Sequence, residues 1–368
     1  MGYIRIILAM IVAIGHMQTD IPGLPFDQFV YMCGPIIAVK LFFLISGFYM
    51  AMVYGKYGSG QSFLISRAAR LWPAYWLTLA VGVLAALVLR QPRLDPYLSF
   101  TGWQHLPWWA TPLLAISEFS FLGIDASLFA CTNLDANGNF LFSLLPNTEC
   151  NFGAEYGISH YAVPPAWTLA LEFYFYLMVP WLYRLKSRFL VVLLAASIGL
   201  NFALAQTGLY YIPWNRSFFP AELWLFLSGF LAFRHRNLLE GHFGKVCALA
   251  ALVMFGGYQV VGLDWYKPGL AQIPQIMVFA LALPALFIYG NRLPGEKFVG
   301  ELSYPVYISH SVVLSVTMTC KTFFGFSVWG WGLGNTVSIL LVAVALYHAT
   351  KPVERWRSQW KDRRLYRR

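Results

Sequence analysis

The sequence is short of charge, and shorter still of acids. Only 11% of its 368 residues are Asp, Glu, Lys or Arg, and acids number 16 against 26 basic residues. That is too little polar surface to cover a globule of this length, so a soluble fold is excluded. The five cysteines form no CxxC and no Cys/His cluster, which excludes a zinc or redox motif. No small-residue cleavage site follows the first apolar stretch, so that stretch reads as a retained span rather than a signal peptide. Internal repeats and low-complexity tracts are also missing.

What is present is apolar: 58% of the residues are hydrophobic, and the chain reads as an all-α integral membrane protein. A net charge of +10 could suggest nucleic acid. The basic residues, however, fall between apolar segments and at the C-terminus, as the positive-inside rule requires, so no nucleic-acid partner is expected. Stretches long enough to cross the hydrocarbon run Ile4 to Thr19, Cys33 to Tyr54, Leu71 to Leu89, Pro164 to Tyr183 and Leu190 to Gln206. Five more run Phe218 to Phe233, Val246 to Leu263, Ile273 to Tyr289, Tyr304 to Thr322 and Trp329 to His348. Ten transmembrane helices put every basic cluster, and both termini, on the cytoplasmic side. Counting the Pro-interrupted Leu106 to Leu122 as an eleventh would split those clusters across both faces. The expected organisation is therefore a membrane domain over 1–350, a long extracytoplasmic loop over 90–163 within it, and a basic cytoplasmic tail over 351–368. In the loop, Cys131 and Cys150 either pair or stay as free thiols. Its Asp135, Asn137 and Asn139 resemble the start of a calcium loop, but Pro146 stands where the bidentate acid is needed, so no metal is expected.

Ionisable residues inside spans are costly, and each is a candidate for function. Arg5 and His16 lie eleven residues apart, about three helical turns, so a cation binder and a titratable base share one face. A buried histidine is nonetheless often just a hydrogen-bonded core residue, and Asp20 either orients the ring or lies in solvent. Arg67 and Arg70 share a helix face and either clamp a phosphate or meet lipid headgroups. Ser46 and Gly47 are small enough for close helix approach or for a narrow acyl chain to pass, and Lys40 snorkels toward the outer end. Glu172 sits deep in the fourth span and needs a partner, expected from Arg or His. His310 is a second base, a substrate contact or a core histidine. Trp103, Trp108 and Trp109 stack on sugar rings or form an interfacial belt.

Taken in order, these motifs resemble the membrane-bound acyltransferase 3 family, which modifies bacterial surface and secreted carbohydrates. The resemblance rests on Arg5 with His16, FFLISGF in the second span, the RxxR of Arg67 and Arg70 before Pro73 and Tyr75, WTLALE from Trp167 to Glu172, and SYPVYISH ending at His310. Thr168 replaces the usual serine, and Lys40 stands where relatives often carry an acid. The resemblance implies a stand-alone, multi-pass enzyme of the bacterial inner membrane without a fused extracytoplasmic domain. It implies acetyl-CoA as co-substrate and a carbohydrate acceptor, with polysaccharide biosynthesis machinery as a further partner. On that basis His16 and Glu172 are the catalytic candidates. Arg5, Arg67, Arg70, Ser46 and Gly47 would bind the donor, and Trp167, Tyr304, His310 and Asp20 the acceptor. A transporter or flippase of lipid-linked sugars is the competing reading, disfavoured because no repeated halves with broken helices are visible.

Overall fold

A computed structural model describes residues 1–17, 34–89, 108–134, 140–144, 155–156, 161–207, 209, 213–214, 216–239, 241–261, 272–324 and 331–365. The first helices are α1 (Gly2–Gly15), α2 (Pro35–Tyr54), α3 (Gly60–Leu89), α4 (Ala110–Ser120), α5 (Trp167–Leu182) and α6 (Ser187–Gln206). They are followed by α7 (Phe219–Arg234), the single turn α8 (Arg236–Leu239), α9 (His242–Val261), α10 (Gln272–Gly290), α11 (Glu296–Phe324) and α12 (Trp331–Leu365).

Each of the ten expected spans falls on one of these helices, with shifted ends. Among the described residues, five helical segments are long and apolar enough to cross a membrane: Pro35–Tyr54, Gly60–Val88, Ser187–Gln206, Gln272–Gly290 and Gly332–Trp360. Their outer faces are open and apolar. Val88 of α3 is 69% exposed, Val192 of α6 64%, and Leu341 of α12 66%. A belt of that kind is stable only against lipid, so this is a membrane protein.

The centre of the bundle is α2, which is apolar around its circumference and buried along most of its length. Its main neighbour is α7, and glycines on both helices let the backbones touch. A Cβ on Gly47 would lie 2.0 Å from the Phe226 carbonyl oxygen, and one on Gly229 would lie 1.8 Å from that of Leu44. Only glycine permits this reciprocal approach. The same device joins α1 to α11, where a Cβ on Gly2 would meet the Glu296 carbonyl oxygen at 2.2 Å. The Glu296 side chain also takes the Met1 amine at 2.6 Å, a carboxylate set where α1's dipole favours one. Those contacts fix the end of α1 that carries Arg5.

Several helices overrun their expected bounds. Arg67 and Arg70 lie within α3 rather than ahead of it, α11 begins at Glu296, and the supposed tail continues α12 as helix to Leu365. In the 90–163 segment, α4 is too short to cross a core of about 30 Å. Its last carbonyls, which no helical turn follows, are taken by α3 side chains. Trp76 Nε1 donates to Phe119 at 2.9 Å, Trp72 Nε1 to Ser120 at 3.3 Å, and the Tyr75 hydroxyl to Glu118. Strands β1 (Ala130–Leu134), β2 (Phe140–Leu144) and β3 (Glu155–Tyr156) form a small antiparallel sheet of order β2-β1-β3 beyond it. Asp20, Cys33, Trp103, Asp135, Asn137, Asn139 and Cys150 lie outside the described residues, so the expectations that rest on them stay as stated.

Candidate functional site

Motifs spread over the whole chain converge on one cavity of about 410 Å³. Helix α1 brings Arg5 to it, α2 brings Ser46 and Tyr49, α3 brings Arg67 and Arg70, and α5 brings Thr168 and Glu172. Tyr304 and Tyr307 come from α11, and Arg357 from the far end of α12. The lining runs along α2 from Val39 to Val53, about 21 Å of helical rise. Gly47 is not on this wall. Its Cα is given to α7, so it shapes the cavity by packing rather than by contact.

The wall is cationic. Arg5, Arg67, Arg70, Lys297 and Arg357 face three carboxylates, Glu172, Glu296 and Glu301, and Glu296 is already taken by the Met1 amine. Arg67 is 4% exposed; its Nη2 donates to the Tyr57 hydroxyl at 2.9 Å, and its Cζ stands 5.7 Å from the centre of the Phe63 ring. Among the described residues its Nε has no partner. Arg5 lies 5.9 Å from the centre of the Tyr49 ring and has no described carboxylate partner. Arginines held against aromatic rings rather than acids keep their donors for an anion.

Glu172 is partnered by hydroxyls instead of the Arg or His expected for it. Ser46 Oγ donates to its Oε1 at 2.6 Å, and the Tyr176 hydroxyl donates to the same oxygen. This fixes one edge of the carboxylate and joins α2 to α5. Deeper in, Thr168 Oγ1 lies 2.9 Å from both the Pro165 carbonyl oxygen and the Tyr307 hydroxyl. The carbonyl can only accept, so the single Thr168 hydrogen goes there and Tyr307 donates to Thr168. Thr168 therefore does with its hydroxyl what the usual serine could do. Tyr304 donates to the Leu71 carbonyl oxygen at 2.7 Å, tying α11 to α3.

Beyond Tyr307 lie the two histidines. The His310 ring packs on Tyr307 at 5.9 Å and on His16 at 5.0 Å. His16 caps the C-terminal end of α1 rather than continuing it, and its Nδ1 lies 2.7 Å from the Val12 carbonyl oxygen. Since that oxygen can only accept, Nδ1 carries the proton and Nε2 carries a lone pair. His310 repeats the arrangement with Tyr307 at 2.6 Å, and its buried Nε2 has no partner among the described residues. It is thus a half-satisfied core histidine. His16 is the more exposed of the two and lies outside the cavity wall, past its inner end.

Lys40 does not snorkel. It is buried, with Nζ 4.0 Å from a carboxylate oxygen of the fully buried Glu222 on α7. Close by, Arg216 lies over the buried Trp167 ring at 5.3 Å. Sequence reasoning passed over Glu222, although an acid four residues into an expected span is itself a signal. It also passed over Arg357, hidden in a basic run assigned to the tail, and over Tyr49 and Tyr176, which look like ordinary span aromatics until their partners are seen.

The fold and site define a membrane protein with an internal cavity of cationic character. The chain belongs to the acyltransferase 3 family, whose acyltransferase domain matches residues 1–348. It is a membrane acyltransferase. It is 26% identical over 340 residues to Nodulation protein 10 of Rhizobium leguminosarum bv. viciae, covering 89% of this chain and 84% of that protein. No solved structure matches it significantly.

Proposed function

We propose that the chain moves an acetyl group from cytoplasmic acetyl-CoA to a hydroxyl of a cell-surface or secreted polysaccharide, or of its lipid-linked precursor, in a bacterial inner membrane. The observation that carries this reading is the placement of one arginine-lined cavity against a histidine whose Nδ1 is tied to a carbonyl. Arg5, Arg67 and Arg70 bind the phosphates, because guanidinium forks held off carboxylates suit anionic oxygens. The length of the cavity suits an extended pantetheine arm. Bound acetyl-CoA supplies the thioester whose carbonyl carbon the acceptor oxygen attacks and whose sulphur departs as the thiolate.

His16 Nε2 takes the proton from the acceptor hydroxyl as the oxygen attacks, then returns it to the departing sulphur. Glu172 orients the wall through Ser46 and Tyr176 and leaves its second oxygen to the ligand. Trp167 is buried under Arg216 and off the cavity wall, so it positions Arg216 and the start of α5 rather than stacking on the acceptor itself. The test is release of free thiol from acetyl-CoA by the purified protein, with mass spectrometry of host glycans for the acetyl gained. Thiol release that depends on a glycan supports the reading. Glycan movement across vesicles without thiol release would favour a transporter instead.

A further inference from the structure

Helix α12 runs on through Pro352 to Leu365, and this extension carries Arg357 and Ser358 onto the cavity wall. Arg357 is held in place before any ligand arrives. Its Nε donates to Glu354 Oε2 at 2.9 Å, its Nη2 donates to the same oxygen, and its Nη1 lies 3.4 Å from Ser66 Oγ. Ser66 Oγ in turn lies 2.8 Å from the Tyr57 hydroxyl, which accepts from Arg67. A chain of hydroxyls therefore links the arginine of α12 to the buried arginine of α3.

The order of these groups along the cavity matters. Using α2 as a ruler, Glu172 sits at the level of Ser46, Arg5 at Tyr49, and Arg67 at Tyr57, just past the helix end. Arg357 faces Arg67 across Ser66 Oγ, which lies 3.4 Å from Arg357 Nη1 and 3.5 Å from Arg67 Nη2, at the end away from Thr168 and Tyr307. An acyl-CoA carries its charge in two places: a pyrophosphate between pantetheine and ribose, and a 3′-phosphomonoester at the end farthest from the thioester. With the thioester toward Tyr307, the first arginines meet the pyrophosphate and the last meets the 3′-phosphate.

From this order we infer that Arg357 recognises the 3′-phosphate of the donor nucleotide and makes the C-terminal helix a specificity element. The inference rests on the acyl-CoA reading given above. Glu354 holds the guanidinium by one edge and leaves Nη1, with only a long contact to a neutral hydroxyl, for an anionic oxygen. Charge-assisted hydrogen bonds to a phosphate are stronger than that contact.

The experiment compares binding of acetyl-CoA and 3′-dephospho-acetyl-CoA to the purified full chain, wild type and Arg357→Gln, by calorimetry. Wild type is expected to prefer acetyl-CoA by about tenfold or more. Arg357→Gln should bind acetyl-CoA as weakly as wild type binds the dephospho analogue, with affinity for the analogue itself unchanged. A variant that keeps the wild-type preference overturns the assignment. So does one that weakens both compounds equally, because Arg357 would then act only in folding. If wild type binds neither compound, the acyl-CoA reading itself fails, and that result is distinct from either.

Discussion

The imidazole rings of His16 and His310 lie 5.0 Å apart at 46° to one another, and each is fixed by donating its Nδ1 proton to a carbonyl. Two Nε2 lone pairs are thereby fixed past the inner end of the cavity, one reachable and one buried. His16 can meet an acceptor. His310 can set the ring that does. His310→Phe keeps a ring against His16 and Tyr307 but removes both nitrogens. It should lower kcat on the order of tenfold while leaving KM for the donor in place, since the arginine wall is untouched. A rise in KM at constant kcat would make His310 a binding residue.

The backbone contact between α2 and α7 sets the tolerance of the bundle. In Gly47→Ala the new methyl would fall 2.0 Å from the Phe226 carbonyl oxygen, so the helices must separate. The expected cost is about 1–3 kcal/mol or more, seen as a lower unfolding temperature in detergent. Gly199→Ala on α6 is the control, because nothing among the described residues lies within 4 Å of its added methyl.

Lys40 and Glu222 form a buried pair whose members need each other. Lys40→Met leaves the buried Glu222 carboxylate without its 4.0 Å partner and with only Arg216 as a neighbouring cation, at a cost of up to about 3–5 kcal/mol. The double variant Lys40→Met with Glu222→Leu should regain most of that stability. If the single and double variants are equally unstable, the pair is not what makes Lys40→Met costly.

Glu118 ties α4 to the bundle and makes that docking pH-dependent. Burial pushes its carboxyl up to about 7, only partly offset by the amides of Ala162 and Val163. The folded form therefore keeps a proton that the unfolded chain gives up near the ordinary carboxylate value. Stability from this group is greatest in acid, falls as pH rises through that interval, and levels off above about 7. Glu118→Gln should flatten the fall in unfolding temperature between those limits. A variant with the same pH slope as wild type would assign the slope to other groups.

Much of this was legible in the sequence because membrane segments announce themselves. The ten apolar stretches fall on helices, five of which are long and apolar enough to cross a membrane among the described residues, and Arg5, Ser46, Arg67, Arg70, Glu172 and Tyr304, chosen from motifs, share one cavity. What was not legible depends on partners. Lys40 read as a snorkelling residue because Glu222 lies some 180 positions away on another helix. Gly47 read as room for a ligand because only the packed α7 backbone reveals what the missing side chain admits. Hydropathy also places the end of a span where charge begins. It could not see α12 continue through Pro352 and turn Arg357 inward.

The proposed role of His16 is to move the proton from acceptor to thiolate. His16→Ala, expressed at the wild-type level in a host lacking its own copy, tests it through glycan acetylation by mass spectrometry and acetyl-CoA binding by calorimetry. Acetylation should fall about 10²–10⁴-fold with donor affinity unchanged, because the arginines stand apart from the imidazole. Wild-type acetylation by His16→Ala would contradict it.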